Sequence, residues 1–149
     1  MTYNPDFWMD DVEQTWGRDA ADRWVMLRAD VLATGVWHRD GVLDVVESLP
    51  IPRSLGERIY RWQDWYDREE SPQEPGRDWE MTADWPIDAF AEEGLAVARE
   101  LKGALPLDWT VVYFDLAALK RQGGWRTSVN RKVYEYEVAA AAPYTHGVP

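Results

Sequence analysis

The stretch Trp109-Thr110-Val111-Val112-Tyr113-Phe114-Asp115 decides the fold. β-Branched and aromatic residues fill it without a glycine or proline, a composition that suits a strand near the middle of a sheet. A second run, Trp24-Val25-Met26-Leu27 continuing to Asp30, is apolar on both alternating faces and predicts a strand covered on both sides. Two helices lie between them. Ser54 with Glu57 three residues on forms a capping box, and Leu55, Ile59, Trp62 and Tyr66 follow in one stripe to about Asp67. After Pro86, a second helical face carries Phe90, Gly94, Val97, Leu101 and Leu105. Its acidic residues stand early, Arg99 and Lys102 stand late, and Pro106 ends it.

Asp40-Gly41 lies between apolar segments and predicts a hairpin or a reversal of direction, because glycine accepts positive φ. Leu116 to Gln122 reads as a helical turn. From Trp125 to Val138 the chain reads as an edge strand, with Tyr134, Tyr136 and Val138 alternating against a wet face of Glu135 and Glu137. Asn4-Pro5 opens an N-terminal amphipathic helix whose apolar face gathers Trp8, Val12 and Trp16 before Gly17. The segment from Arg68 to about residue 84 is too polar and proline-broken for either periodicity, and connections of that length are uncommon unless functional or disordered. The expected fold is a single α/β (α+β) domain, a small sheet with two main helices packed on it plus the N-terminal helix. Residues 1–22 form the helical extension, 23–138 the domain, and 139–149 a fraying tail.

At 149 residues the chain has the length of one domain, and 46% hydrophobic residues with ten Trp argue against a disordered chain. A net charge of -11 makes a nucleic-acid binder a poor fit, since phosphate neutralisation needs a basic face. The same charge repels anionic membranes. The opening residues carry no basic region followed by an apolar run, and no apolar stretch is long enough to span a bilayer, so a cytoplasmic protein is expected. Zero cysteines exclude disulfides, thiolate nucleophiles and iron–sulfur ligation, and two histidines exclude multi-histidine metal sites.

No catalytic set emerges, and neither a cofactor nor a metal is expected. His38-Arg39-Asp40 places an imidazole near a carboxylate, the minimum for base catalysis, but no nucleophile accompanies it and a turn residue hydrogen-bonded locally explains it better. Glu69, Glu70, Glu74 and Asp78 offer paired carboxylates beside Trp79 and Trp85, the ingredients of a carbohydrate-cleaving site. Adjacent acids in a polar loop stay hydrated, however, and one carboxyl would have to be raised by an apolar pocket. Asp40 and Asp44 miss the spacing and ligand number of a calcium loop. Glu100-Leu101-Lys102 superficially matches the Glu-x-Lys of some nucleases, but on a helix it points the two paired groups apart.

Leu27-Arg28-Ala29-Asp30, Gly35-Val36-Trp37, Asp40-Gly41 and Leu49-Pro50-Ile51-Pro52 with Ser54-Leu55 occur in an order that resembles the opening of small bacterial immunity-type proteins encoded near polymorphic toxins. The likeness continues through Trp62-Gln63-Asp64-Trp65-Tyr66-Asp67, the helix around Glu93-Gly94-Leu95-Ala96, and Val111-Val112-Tyr113-Phe114, covering roughly residues 24 to 115. These are scaffold patterns with no catalytic signature. The resemblance implies neutralisation of a toxin by binding.

Tryptophans beyond what a core needs suggest where binding happens. Trp62 sits mid-stripe and belongs to the core, whereas Trp65 falls at the stripe's margin and Tyr60 points away from it. Aromatic rings give large contact area at low entropy cost and dominate interface hot spots. Trp37, Asp40, Tyr60, Trp65, Glu69, Glu70, Glu74 and Trp79 are therefore the candidate partner-binding residues. The sequence-level expectation is a non-enzymatic immunity protein that occludes a basic cognate toxin, steered by the acidic surface and held by the rings. A carbohydrate-binding or carbohydrate-cleaving domain and a structural or oligomerisation module stand as alternatives.

Overall fold

The computed structural model describes residues 23–70, 86–121 and 131–140. The expected N-terminal helix and residues 71–85 lie outside them. Five strands, β1 (Trp24–Leu27), β2 (Val36–His38), β3 (Gly41–Val42), β4 (Thr110–Phe114) and β5 (Glu135–Glu137), form one sheet in the order β3-β2-β1-β4-β5. β1 and β4 run parallel, with Val25 opposite Val111 and Leu27 opposite Tyr113, while the outer pairs are antiparallel. A parallel pair requires a long crossover. Here it carries the hairpin and two helices, α1 (Arg53–Glu70) and α2 (Ile87–Ala104). A short helix α3 (Leu116–Arg121) follows β4.

Pleating places Val25, Leu27, Val111 and Tyr113 on the face toward α2, where the Tyr113 hydroxyl donates to the Ala91 carbonyl at 2.9 Å. The two helices meet over an aromatic cluster. Trp62 of α1 stacks on Phe90 of α2 with centroids 4.7 Å apart, and its indole N–H donates to the Phe90 carbonyl at 3.0 Å. Gly94 makes this approach possible, because a Cβ there would lie 2.6 Å from Trp62 Cζ2 and 2.8 Å from the Tyr113 hydroxyl. Arg58 spans the same seam, with a two-pronged contact to Glu93 and a 2.7 Å ion pair to Glu100. That fork lowers the Glu93 pKa against the opposing effect of burial, and raises that of the guanidinium.

Several boundaries differ from the sequence reading. α1 starts at Arg53, because the Pro52 carbonyl accepts the amides of Leu55 and Gly56; Ser54 sits inside the first turn and is not the cap. It also runs three residues past Asp67, with Arg68 in the last turn, where the helix dipole favours a cation. β1 stops at Leu27, since the chain turns back and the Arg28 amide bonds the Gly35 carbonyl. The last strand is confined to Glu135–Glu137, preceded by a 3-10 turn at Arg131–Tyr134 that buries Tyr134 beside Phe114. It is an edge strand as expected, but Tyr136 is 42% exposed although it faces α2, resting edge-on against Tyr113.

Candidate functional site

The loop joining β1 to β2 carries two exposed apolar side chains at its tip, Val31 and Leu32. Leu32 is 95% exposed and has a φ of +59°. A γ-branched residue in the left-handed region costs on the order of 1–2 kcal/mol, so the surrounding structure must impose it. The base of the loop is held by Gln63 of α1, buried to 2% exposure. Its amide grips the Asp30 backbone from both sides, donating to the carbonyl at 2.8 Å and accepting from the amide at 3.3 Å. The same Nε2 donates to Asp67 Oδ1 at 2.9 Å. Burial, more than any charge, raises the Asp67 pKa, with Asp64 adding to the rise and the Gln63 bond opposing it.

Asp30 completes the clamp. Its Oδ1 accepts the Val31 amide at 2.7 Å and its Oδ2 accepts from Arg28 at 3.1 Å. Thr34 ties the returning limb to the hairpin by donating to the Leu43 carbonyl at 2.6 Å. Gly35, at a φ of +100°, lies against Ile59 and Gln63, where a Cβ would approach Ile59 Cγ2 to 3.2 Å. The outcome is a loop fixed at its base on α1, with an exposed apolar tip.

The candidate residues from sequence fall into separate groups. Trp37 belongs to β2 and lies on the sheet face away from the helices, half-buried. Its indole donates to the Arg28 carbonyl at 3.0 Å, and the Arg28 guanidinium sits 5.0 Å from its ring and 4.6 Å from that of Phe114. Asp40 is exposed in the β2–β3 turn, where its amide donates to His38 Nδ1 at 3.3 Å. That local bond is the turn role expected of His38. Tyr60 is half-buried, and its hydroxyl accepts the Val46 amide at 3.0 Å. Burial and a hydrogen bond with Glu47 push its pKa up to about 12, against the pull of the Val46 amide. Trp65 packs edge-on against Phe90 at 5.3 Å. Glu69 is half-buried in the last turn of α1, Glu70 ends that helix, and Glu74 and Trp79 lie outside the described residues.

Gln63 and Asp67 thus join the β1–β2 loop to the acidic half of α1, which ends in Glu69 and Glu70, and the Trp37–Arg28 bond joins β2 to the loop's base. The rings at Trp37, Tyr60 and Trp65 each hold an internal contact as well as an open side. Sequence reasoning missed Leu32 altogether. The one available signal was an adjacent apolar pair, Val31-Leu32, in a connection that should be polar. A concavity of about 300 Å³ lies where α2, α3, β4 and β5 meet, lined among others by Glu92, Leu95, Tyr113 and Tyr136. Among the described residues no group of three or more His, Asp or Glu is placed to hold a metal ion, and no helix is long and apolar enough to cross a membrane.

A family model described as Serratia CdiI immunity protein-like matches residues 23–116, which takes in β1 to β4, α1, α2 and the loop around Leu32. No curated protein and no solved structure matches the chain significantly.

Proposed function

The chain belongs to the Serratia CdiI immunity protein-like family, and we propose that it neutralises a cationic cognate toxin by stoichiometric binding, without chemistry of its own. The observation that carries this reading is the extent of the family match, more than half of the chain and nearly all of the described sheet and its helices. The net charge of -11 supports a basic partner, because an acidic surface raises the encounter rate with a cation roughly 10- to 1,000-fold at low salt.

The binding surface in this reading runs from the β2–β3 turn at Asp40, past the open side of Trp37, to the β1–β2 loop and the acidic half of α1. Tyr60 and Trp65 contribute the exposed parts of their rings, Glu69 and Glu70 stand in the last turn of α1, and Glu74 and Trp79, outside the described residues, are further partner contacts in this reading. Buried rings slow dissociation while peripheral carboxylates accelerate capture, so the two sets separate kinetically.

The test is affinity capture of the partner from the native host, co-expression of that toxin with this chain, and stopped-flow association of the purified pair at low and physiological salt. The reading expects growth rescue, one stable complex, and an association rate that falls at least tenfold as salt rises. Growth arrest despite full expression of the folded chain would overturn it, and a salt-independent association rate would remove the cationic partner.

A further inference from the structure

We propose that Leu32, backed by Val31, is the anchor of the interface: it enters an apolar pocket on the toxin whose rim is basic, meeting Asp30, Asp64 and Asp67. This deepens the immunity reading and rests on it. An exposed leucine is ordinary by itself, and so is a left-handed residue at a turn. Their coincidence is not ordinary. Turns that need positive φ use glycine, asparagine or aspartate, which adopt it at little or no cost. Leu32 gains no burial for its strain, being 95% exposed, so the fold itself has no use for an apolar side chain at this position.

The loop also has the rigidity that an anchor needs. Gln63 holds both backbone groups of Asp30, Asp30 holds the Val31 amide, and the Ala33 amide bonds back to the Asp30 carbonyl at 3.2 Å. The tip is therefore ordered before the partner arrives, which removes the entropy cost of ordering it on binding. Gln63 Nε2 donates to both the Asp30 carbonyl and Asp67 Oδ1, which sets the Asp67 carboxylate at the base of the loop, with the exposed Asp64 one turn earlier on α1 and the Asp30 carboxylate on the Val31 amide. An apolar centre with a charged surround is the arrangement of an interface hot spot, and it fits a pocket with lysine or arginine at its mouth.

The experiment exploits the backbone. Leu32→Asn and Leu32→Gly both suit a φ of +59° and remove the apolar side chain, so both should fold with an unchanged or raised Tm. Affinity for the purified toxin captured on the parent chain should fall at least tenfold in both, through faster dissociation, while Leu32→Met stays within about threefold of the parent chain. Wild-type affinity in folded Leu32→Asn overturns the anchor and leaves the immunity reading standing, whereas a parent chain that binds no toxin overturns both. A parent dimer that Leu32→Asn converts to monomer, with toxin affinity unchanged, would assign the tip to self-association and likewise refute the proposal.

Discussion

Gly94→Ala tests whether the seam between the helices is as tight as the geometry implies. The added methyl would lie 2.6 Å and 2.9 Å from two carbons of the Trp62 ring and 2.8 Å from the Tyr113 hydroxyl. Carbon atoms normally rest about 3.5–4.0 Å apart, so the indole would have to withdraw by roughly 1 Å. It has little room to do so, since its N–H is bonded to the Phe90 carbonyl and its face is stacked on Phe90. Tyr113 is tied in turn to the Ala91 carbonyl. Overpacking of this kind costs about 1–3 kcal/mol, and an unyielding ring points to the upper end. Alanine returns up to about 1 kcal/mol in helix propensity, which leaves a net loss of about 2 kcal/mol. Urea denaturation should show a lower midpoint at an unchanged slope, with the Tm down by roughly 4–8 °C. In the Trp62→Phe background the same substitution should cost about 1 kcal/mol less, because the smaller ring removes the clash. A Gly94→Ala variant as stable as its parent would refute the packing argument.

Three further outcomes follow from the same contacts. Glu93→Gln should cost under about 1 kcal/mol at neutral pH, since the pair with Arg58 is partly exposed. The Glu93 pKa is depressed by the guanidinium, so its contribution is present above the ordinary value of 4.5 and is lost as pH falls through the lower folded value; urea titrations at stepped pH should show the gap to the parent closing as the medium is acidified. Tyr60→Phe removes the acceptor for the Val46 amide and should lower stability by about 1 kcal/mol, seen as a shifted denaturation midpoint. Gln63→Ala leaves both backbone groups of Asp30 without their clamp and should cost about 2 kcal/mol, with faster amide exchange at Asp30 and Val31; unchanged exchange there would show that the loop holds itself.

The parts of the fold legible in the sequence were those with a strong local period. The stripe from Leu55 to Tyr66, the face from Phe90 to Leu101 and the β-branched run at β4 each bury the side expected. The Asp40-Gly41 hairpin also forms, with Gly41 at a φ of +135°. Where a neighbour far along the chain decides the conformation, the sequence is silent. The left-handed Leu32 belongs to a loop held by an amide clamp between residues thirty-three positions apart, and no pattern around residue 32 announces it. Likewise Gly94 reads as a member of an apolar face, but its reason for being glycine is the Trp62 ring on another helix. The half-burial of Trp37, Tyr60 and Trp65 follows from bonds to Arg28 and Val46 and from packing on Phe90, none of which is a local signal. At β5, the 3-10 turn interrupts the alternation because burying Tyr134 against Phe114 outweighs continuing the strand.

The most direct measurement of the account is a titration of toxin activity by the purified chain at a toxin concentration well above the dissociation constant. Occlusion requires activity to fall in a straight line and vanish at a mole ratio of one to one, with full activity regained when the complex is dissociated. Progressive, irreversible loss of toxin at a small fraction of that ratio would mean the chain acts by turnover, and neutralisation by binding would be contradicted.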